Sequence, residues 1–320
     1  MENQKKKIVF IVNPISGTRS KESLGKYIEQ TIDRDAFDCQ IVKTEYAGHA
    51  AELASRYASE GIDICVAVGG DGTVNEVARG LLGSATALGI VPCGSGNGLA
   101  RHLCLPMGMK KSLAIINEAH IIDIDYGLAN DRPFFCTCGM GFDAHVALKF
   151  ANCGKRGLST YAKMVLQEGM NYQPTRYTIQ VEGQAEPICQ EAFLVDCANA
   201  AQYGNNTYIA PGASLQDGLL DLVVVESINK KGRTKLLTDL FTKTLRSNRH
   251  VRIIPSTSFH VHRDEAGAFQ IDGDPFMAGT DFDIRLVAGG LKAVCNRRKI
   301  EDKALPNRMV DTVYKFFKKL

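Results

Sequence analysis

The stretch Val66-Ala67-Val68-Gly69-Gly70-Asp71-Gly72-Thr73-Val74-Asn75-Glu76-Val77 constrains this chain more than any other. The apolar run Ile64 to Val68 has the composition of a buried strand. It ends abruptly in Gly69, Gly70 and Gly72, with one carboxylate, Asp71, among them. Thr73 stands at a capping position and Glu76 follows three residues later, the spacing of a capping box, so a helix is predicted to begin there. Strand, glycine turn and helix N-terminus together make a phosphate-binding arrangement. Glycine lets the backbone approach closely, and the first N–H groups of the helix point at the anion.

The same pattern returns. Ala87 to Val91 reads as a strand and leads into Pro92-Cys93-Gly94-Ser95-Gly96-Asn97-Gly98, after which Leu99 to Arg101 opens a helix. Upstream, Lys7 to Val12 is a first buried strand, running into Asn13-Pro14-Ile15-Ser16-Gly17-Thr18-Arg19-Ser20-Lys21. That loop suits phosphate contact through its small residues and its two cations, Arg19 and Lys21; an ordinary turn with surface cations is the alternative. Helices are predicted over 20–32 and 48–59, with strands over 38–43 and 62–68. Strands alternating with helices at this spacing predict a mostly parallel sheet. Ligands of such sheets bind at the carboxyl ends of the strands, where the three loops converge as a nucleotide phosphate cradle.

After about residue 120 the pattern changes. Short β-rich runs appear at 121–128, 134–138, 176–181, 192–198, 219–225, 251–255, 258–262, 269–271 and 282–287, with helical inserts at 159–167 and 230–244. This predicts an all-β sandwich or barrel. The expected division is a nucleotide-binding α/β domain over 1–120 and a β domain over 121–290, with 291–320 packing back on the first. The chain has 320 residues, a net charge of +3 and 45% hydrophobic residues, which suits a globular protein and gives no reason to expect nucleic-acid binding. No apolar run is long enough to span a membrane or serve as a signal peptide, so a cytosolic protein is expected. The ten cysteines are scattered without a Cys-x-x-Cys pair and read as buried thiols. His260-Val261-His262 puts two rings on one strand face without a third ligand of clear spacing, and reads as structural or surface.

Asn13-Pro14-x-Ser16-Gly17, Gly69-Gly70-Asp71-Gly72-Thr73-x-Asn75-Glu76 and Pro92-x-Gly94-Ser95-Gly96-Asn97 resemble the diacylglycerol kinase catalytic-domain family, which includes bacterial soluble lipid kinases and is related to sphingosine and ceramide kinases. The resemblance continues through Ala210-Pro211-Gly212-Ala213, Asp217-Gly218-x-Leu220-Asp221 and Ile271-Asp272-Gly273-Asp274. Gly-Gly-Asp-Gly-Thr alone is shared with NAD kinases and is similar to phosphofructokinases. The resemblance implies an NAD kinase-like α/β domain before an all-β domain, with ATP and Mg2+ in the cleft. It implies ATP contacts for Asn13, Ser16, Gly17, Arg19, Lys21, Thr44, Gly69, Gly70, Asp71, Gly72, Thr73, Asn75, Gly94, Ser95, Gly96 and Asn97. The family's general base falls at Asp274, where this chain has Asp in place of Glu. Asp272 is the fallback and Asp71 the candidate of the sphingosine-kinase branch. By position a structural Mg2+ involves Asp217 with main-chain oxygens of Ser214 and Leu219. Asp125 matches an aspartate lining the family's active site, and Asp71 is a further metal candidate. Read from the residues alone, Asp272 and Asp274 are also compatible with a plain Asp-Gly hairpin turn.

A lipid kinase must reach a bilayer. The stretch 230–252 carries Lys230, Lys231, Arg233, Lys235, Lys243, Arg246, Arg249 and Arg252 between Leu236, Leu237, Leu240, Phe241 and Leu245, and is expected to meet anionic headgroups peripherally. Asn307 to Leu320 is amphipathic and is expected either to meet membrane or to pack on the nucleotide domain. The expected partner is thus a lipid substrate at a membrane surface, and a homodimer is compatible with the chain. The expected activity is transfer of the ATP γ-phosphate to a hydroxyl of diacylglycerol, a sphingoid base or a related lipid. The alternatives are an NAD kinase-like enzyme acting on a soluble substrate and a nucleotide- or lipid-binding protein without turnover.

Overall fold

The computed structural model describes residues 5–16, 22–154 and 158–299. The first half contains β1 (Lys6–Val12), α1 (Glu22–Thr31), β2 (Phe37–Lys43), α2 (His49–Ser59), β3 (Ile64–Gly69), α3 (Asp71–Leu81), β4 (Ala87–Pro92), α4 (Gly98–His102) and α5 (Met109–Glu118). Its strands form a parallel sheet in the order β2-β1-β3-β4. Every residue of β3 and β4 is buried, because helices cover both faces. Uninterrupted apolar strands are the sequence signature of that arrangement.

The second half contains β5 (Ile121–Ala129), β6 (Arg132–Phe134), β7 (Thr137–Gly141), α6 (Phe142–Asn152), α7 (Leu158–Asn171), β8 (Thr175–Val181), β9 (Ile188–Ala198), β10 (Gln202–Gly204), β11 (Thr207–Tyr208), β12 (Leu220–Glu226), α8 (Lys230–Thr242), β13 (Val251–Ser256), β14 (Ser258–Arg263), β15 (Gly267–Ile271), β16 (Asp274–Ala278) and β17 (Asp281–Val294). It is a β sandwich with the antiparallel path β16-β15-β7-β9-β8-β14-β17. One apolar cluster lies around Tyr177, Phe259, Phe269 and Phe282. A second gathers Phe142, Phe193, Leu236, Leu240 and Leu245 under the helices.

β17 joins the halves. It pairs with β14 at one end, runs along β5, and reaches β4 through Ala293 and Leu88. The sequence reading ended this strand at Val287. Beyond it Gly289 and Gly290 form a bulge: pairing with β5 shifts register between Val287 and Leu291 and resumes, with Gly289 at φ 58°. The expected strand over 134–138 is broken for a related reason. Phe135 and Cys136 leave the ladder so that their N–H groups can reach a carboxylate of the β15–β16 turn. The helices α5 and α6 had no counterpart in the sequence reading.

Candidate active site

The opening stretch folds as strand, turn and helix, but its cap differs from the expected one. α3 begins at Asp71 with Gly70 as N-cap and no side-chain cap hydrogen bond. Thr73 lies inside the first turn, and its Oγ1 accepts from Asn13 Nδ2 at 3.0 Å, tying the first loop to the helix. Glu76 is drawn away to the neighbouring helix. Its carboxylate accepts from Gly48 N at 2.9 Å and Ala50 N at 3.2 Å, so it caps α2. A carboxylate is favourable at either helix N-terminus, and the packing of α2 on α3 decides which one receives it. The first N–H groups of α3, at Asp71, Gly72 and Thr73, have no partner within the helix. A Cβ built on Gly72 would meet nothing within 4 Å. These features fit an anion seated on open backbone donors.

The second turn is closed. Asp71 Oδ2 accepts from Asn97 N at 2.8 Å, and Asp71 Oδ1 accepts from Gly98 N at 2.7 Å. Asp71 therefore occupies the N-terminus of α4, where the sequence reading placed phosphate. Asn97 seals the loop further, accepting from Gly94 N at 3.0 Å and donating to Gly94 O at 2.7 Å. The two turns touch through their backbones: a Cβ on Gly94 would lie 2.7 Å from Gly70 Cα. The short β10–β11 hairpin crosses the same loop, with Asn205 N donating to Gly96 O at 3.0 Å. Gly69, Gly70 and Gly72 thus border the open turn, while Gly94, Ser95, Gly96 and Asn97 belong to the closed one.

Asp272 faces these turns from the β sandwich. It sits with Gly273 in a two-residue hairpin turn, both at positive φ (50° and 88°), so the hairpin geometry weighed at the sequence level is real. Its side chain is nonetheless fully engaged. It accepts from Phe135 N (2.9 Å), Cys136 N (2.7 Å), Thr137 N (3.0 Å) and Asn75 Nδ2 (2.7 Å). Burial pushes its carboxyl up to about 6, against those four donors, which all favour the charged form. Asp272 is thus a clamp between α3 and the sandwich, with no oxygen left for proton transfer in this geometry.

Asp274 opens β16 on the exposed side of the same turn. Its carboxyl is raised above the ordinary range, first by lost hydration and then by the Asp71 charge, with Arg79 opposing. A proton acceptor with a raised pKa is a stronger base, which is what abstraction from an alcohol requires. Between Asp71, Asn75, Asp272 and the Phe135–Thr137 backbone lies a pocket of about 40 Å3, walled also by Val74, Leu99 and Tyr203. Burial and the charges of Asp272 and Asp71 keep the adjoining Cys136 a thiol, so it is not a nucleophile at neutral pH. Tyr203 and the 135–137 backbone escaped the sequence reading, since the former lies in a short hairpin outside every motif and the latter contributes through N–H groups alone.

Other site residues gather elsewhere. Asp125 is buried on β5 and accepts from Gly218 N (2.9 Å) and Gly289 N (2.7 Å). Ser214, Asp217 and Leu219 form the adjoining turn, in which Asp217 Oδ1 accepts from Leu219 N. Nearby, Asp221 is lifted to about 6, first by burial and then by Asp217, with Arg246 opposing. Among the described residues, no group of three or more His, Cys, Asp or Glu is placed to hold a metal, and Asp71 is committed to α4. Mg2+ brought by a nucleotide needs only one or two carboxylates of the protein.

Thr44 is buried just after β2, its N–H donating to Val12 O. Ser16 Oγ donates to Asn13 O at 3.1 Å. Gly17, Arg19 and Lys21 lie outside the described residues, as does the segment 300–320 with its amphipathic stretch. The basic stretch differs from the expected apolar-and-cationic face. Leu236, Leu240 and Leu245 are buried in the sandwich, and Arg233 turns inward to the carbonyls of Ile228, Gly169 and Tyr172, leaving Phe241 exposed. His260 and His262 lie on the surface, each against an aspartate of β17. No described helix is long and apolar enough to cross a membrane.

The diacylglycerol kinase catalytic domain model matches residues 7–129, and the YegS C-terminal NAD kinase beta sandwich-like domain model matches 136–292. The protein named Probable lipid kinase YegS from Salmonella typhimurium is 28% identical over 252 residues, spanning 75% of this chain and 81% of the relative. A Bacillus anthracis diacylglycerol kinase structure has a TM-score of 0.72 at 23% identity, covering 92% of this chain and 98% of that chain. An Archaeoglobus fulgidus NAD kinase in complex with ATP reaches 0.54 at 13% identity, over 92% and 96%. The last two are likenesses of fold.

Proposed function

The chain belongs to the diacylglycerol kinase catalytic-domain family, a lipid-kinase family, and from that premise we propose that it transfers the terminal phosphoryl group of ATP to a lipid hydroxyl in the cleft between α3 and the β15–β16 hairpin. The observation that carries this reading is the uncapped N-terminus of α3 facing a hairpin whose Asp274 is a strengthened base. ATP with Mg2+ would supply the activated phosphoryl group and neutralise its charge. The N–H groups of Asp71, Gly72 and Thr73 hold phosphate oxygens. Asp71 fixes the second turn beside them, and Asp272 fixes α3 against the sandwich. Asp274 accepts the hydroxyl proton, and Val74, Leu99 and Phe135 offer apolar surface for the acceptor. Diacylglycerol and sphingoid bases both satisfy this chemistry. Phe241, exposed near Lys243 at the end of α8, is the element proposed to meet the lipid surface.

Labelled ATP with Mg2+, offered diacylglycerol, phosphatidylglycerol, sphinganine, ceramide and NAD in parallel, tests the reading. Label in a lipid phosphate supports it, and label in NADP alone overturns it. Asp274→Asn should lower kcat about 10²- to 10⁴-fold with little change in melting temperature. Because the base works deprotonated, wild-type activity should rise as pH climbs through the raised Asp274 pKa and level off above it. An acid limb unchanged in Asp274→Glu and Asp274→Asn alike would remove Asp274 from that role.

A further inference from the structure

Behind the hairpin lies a pair of acids that the phosphoryl-transfer chemistry leaves unused. Asp143 stands in the first turn of α6 and Asp196, fully buried, on β9. The two carboxyls are neighbours, since one Gln270 nitrogen reaches an oxygen of each. Asp143 Oδ1 and Asp196 Oδ1 are buried and receive no donor from other groups. The other oxygen of each accepts from Gln270 Nε2 at 3.2 Å, and Asp196 Oδ2 also accepts from Tyr203 Oη at 3.1 Å. No basic side chain is among the main influences on either carboxyl. Around them lie Cys197 on β9, Tyr203 on β10, Cys138 on β7, Tyr177 on β8 and Tyr172 after α7. The last three are raised by burial and so neutral at ordinary pH. Arg263 on β14 bears on Tyr177 and Tyr172, and Asp272 on Cys138. Two neighbouring carboxylates out of water cannot both stay charged, and one proton shared between them relieves the repulsion.

Gln270 connects this pair to the active site. Its amide NH2 points at the two acids and at Thr137 Oγ1, and its Oε1 accepts from Gly273 N at 2.9 Å. The acids thereby set which way the amide faces, and the amide sets the turn between Asp272 and Asp274. Tyr203, held by Asp196, forms another wall of the pocket. We propose that Asp143 and Asp196 share one proton and act as a positioning pair, holding the Asp272–Gly273 turn through Gln270 and the pocket wall through Tyr203. Burial keeps the Asp143 carboxyl at about 6 and the Asp196 carboxyl well above its ordinary range, in keeping with a retained proton. Since both are raised in the folded state, their contribution to stability is fullest at low pH and is lost as pH rises through those raised values.

The activity arm of the test rests on the lipid-kinase reading; two other arms need no substrate. Infrared spectra near pH 7 should show a protonated-carboxyl band that Asp196→Asn removes, and absence of that band from wild type would overturn the proposal. Carbon-13 carboxyl titration of the unmodified protein decides the matter if the variant fails to fold. Two linked steps, one above the ordinary carboxylate range, are expected, and two independent ordinary titrations would contradict the pair. Gln270→Glu sets a third carboxyl against the acids. Lipid phosphorylation should fall about tenfold near pH 8 and largely return near pH 6. An equal loss at both pH values would mean a merely structural role for Gln270 and would sink the link to the turn.

Discussion

The two glycine turns look alike in sequence and end differently in structure. Both follow a fully buried strand and both lead into a helix. At α3 the first-turn donors meet no side-chain cap, whereas at α4 Asp71 fills the place an anion would take. One carboxylate explains the asymmetry. It begins the first helix and reaches across to cap the second, while Glu76, at the capping-box spacing of α3, is held by α2. A strand–glycine–helix motif is therefore a phosphate seat only where no side chain of the same fold arrives first.

That asymmetry can be broken at several points. Asp71→Ala should have the largest effect, because it leaves the Asn97 and Gly98 N–H groups without their acceptor. A loss of about 2–4 kcal/mol is expected by denaturant unfolding. Were Asp71 only a ligand for a metal carried by the nucleotide, the apoprotein would keep its stability. Gly94→Ala forces apart the backbones that meet at Gly70, and about 1–3 kcal/mol is expected from the same measurement. Gly72→Ala makes the opposite prediction. Its side chain enters open space, so stability should stay within about 0.5 kcal/mol while nucleotide affinity by calorimetry falls about tenfold. Equal effects of the two glycine substitutions would erase the distinction between the turns. Glu76→Gln, which weakens the α2 cap, should cost about 0.5–1 kcal/mol and leave nucleotide affinity within about twofold.

Much of this was legible in the residues. Uninterrupted apolar strands and the glycines between them placed the parallel sheet and its loops, because burial on both faces and backbone approach each demand a restricted set of residue types. The shift to short β runs announced the sandwich. What stayed hidden depends on distant side chains. The Asp272 clamp spans 197 residues to Asn75, and no local pattern distinguishes it from a plain hairpin aspartate. The target of Asp71 and that of Glu76 follow from how two helix pairs pack. The basic stretch is not one apolar-and-cationic face, because Leu236, Leu240 and Leu245 serve the sandwich core and Arg233 serves carbonyls. The run over 282–287 stops short because the bulge glycines Gly289 and Gly290 interrupt its apolar pattern.

Backbone amide NMR during an ATP titration tests the difference between the turns most directly. The N–H resonances of Gly72 and Thr73 should shift strongly as phosphate occupies the N-terminus of α3. Those of Asn97 and Gly98, already bonded to Asp71, should move little and remain slow to exchange. Large shifts at Asn97 and Gly98 with Gly72 and Thr73 unmoved would place the nucleotide on the second turn and contradict the assignment of α3 as the phosphate seat.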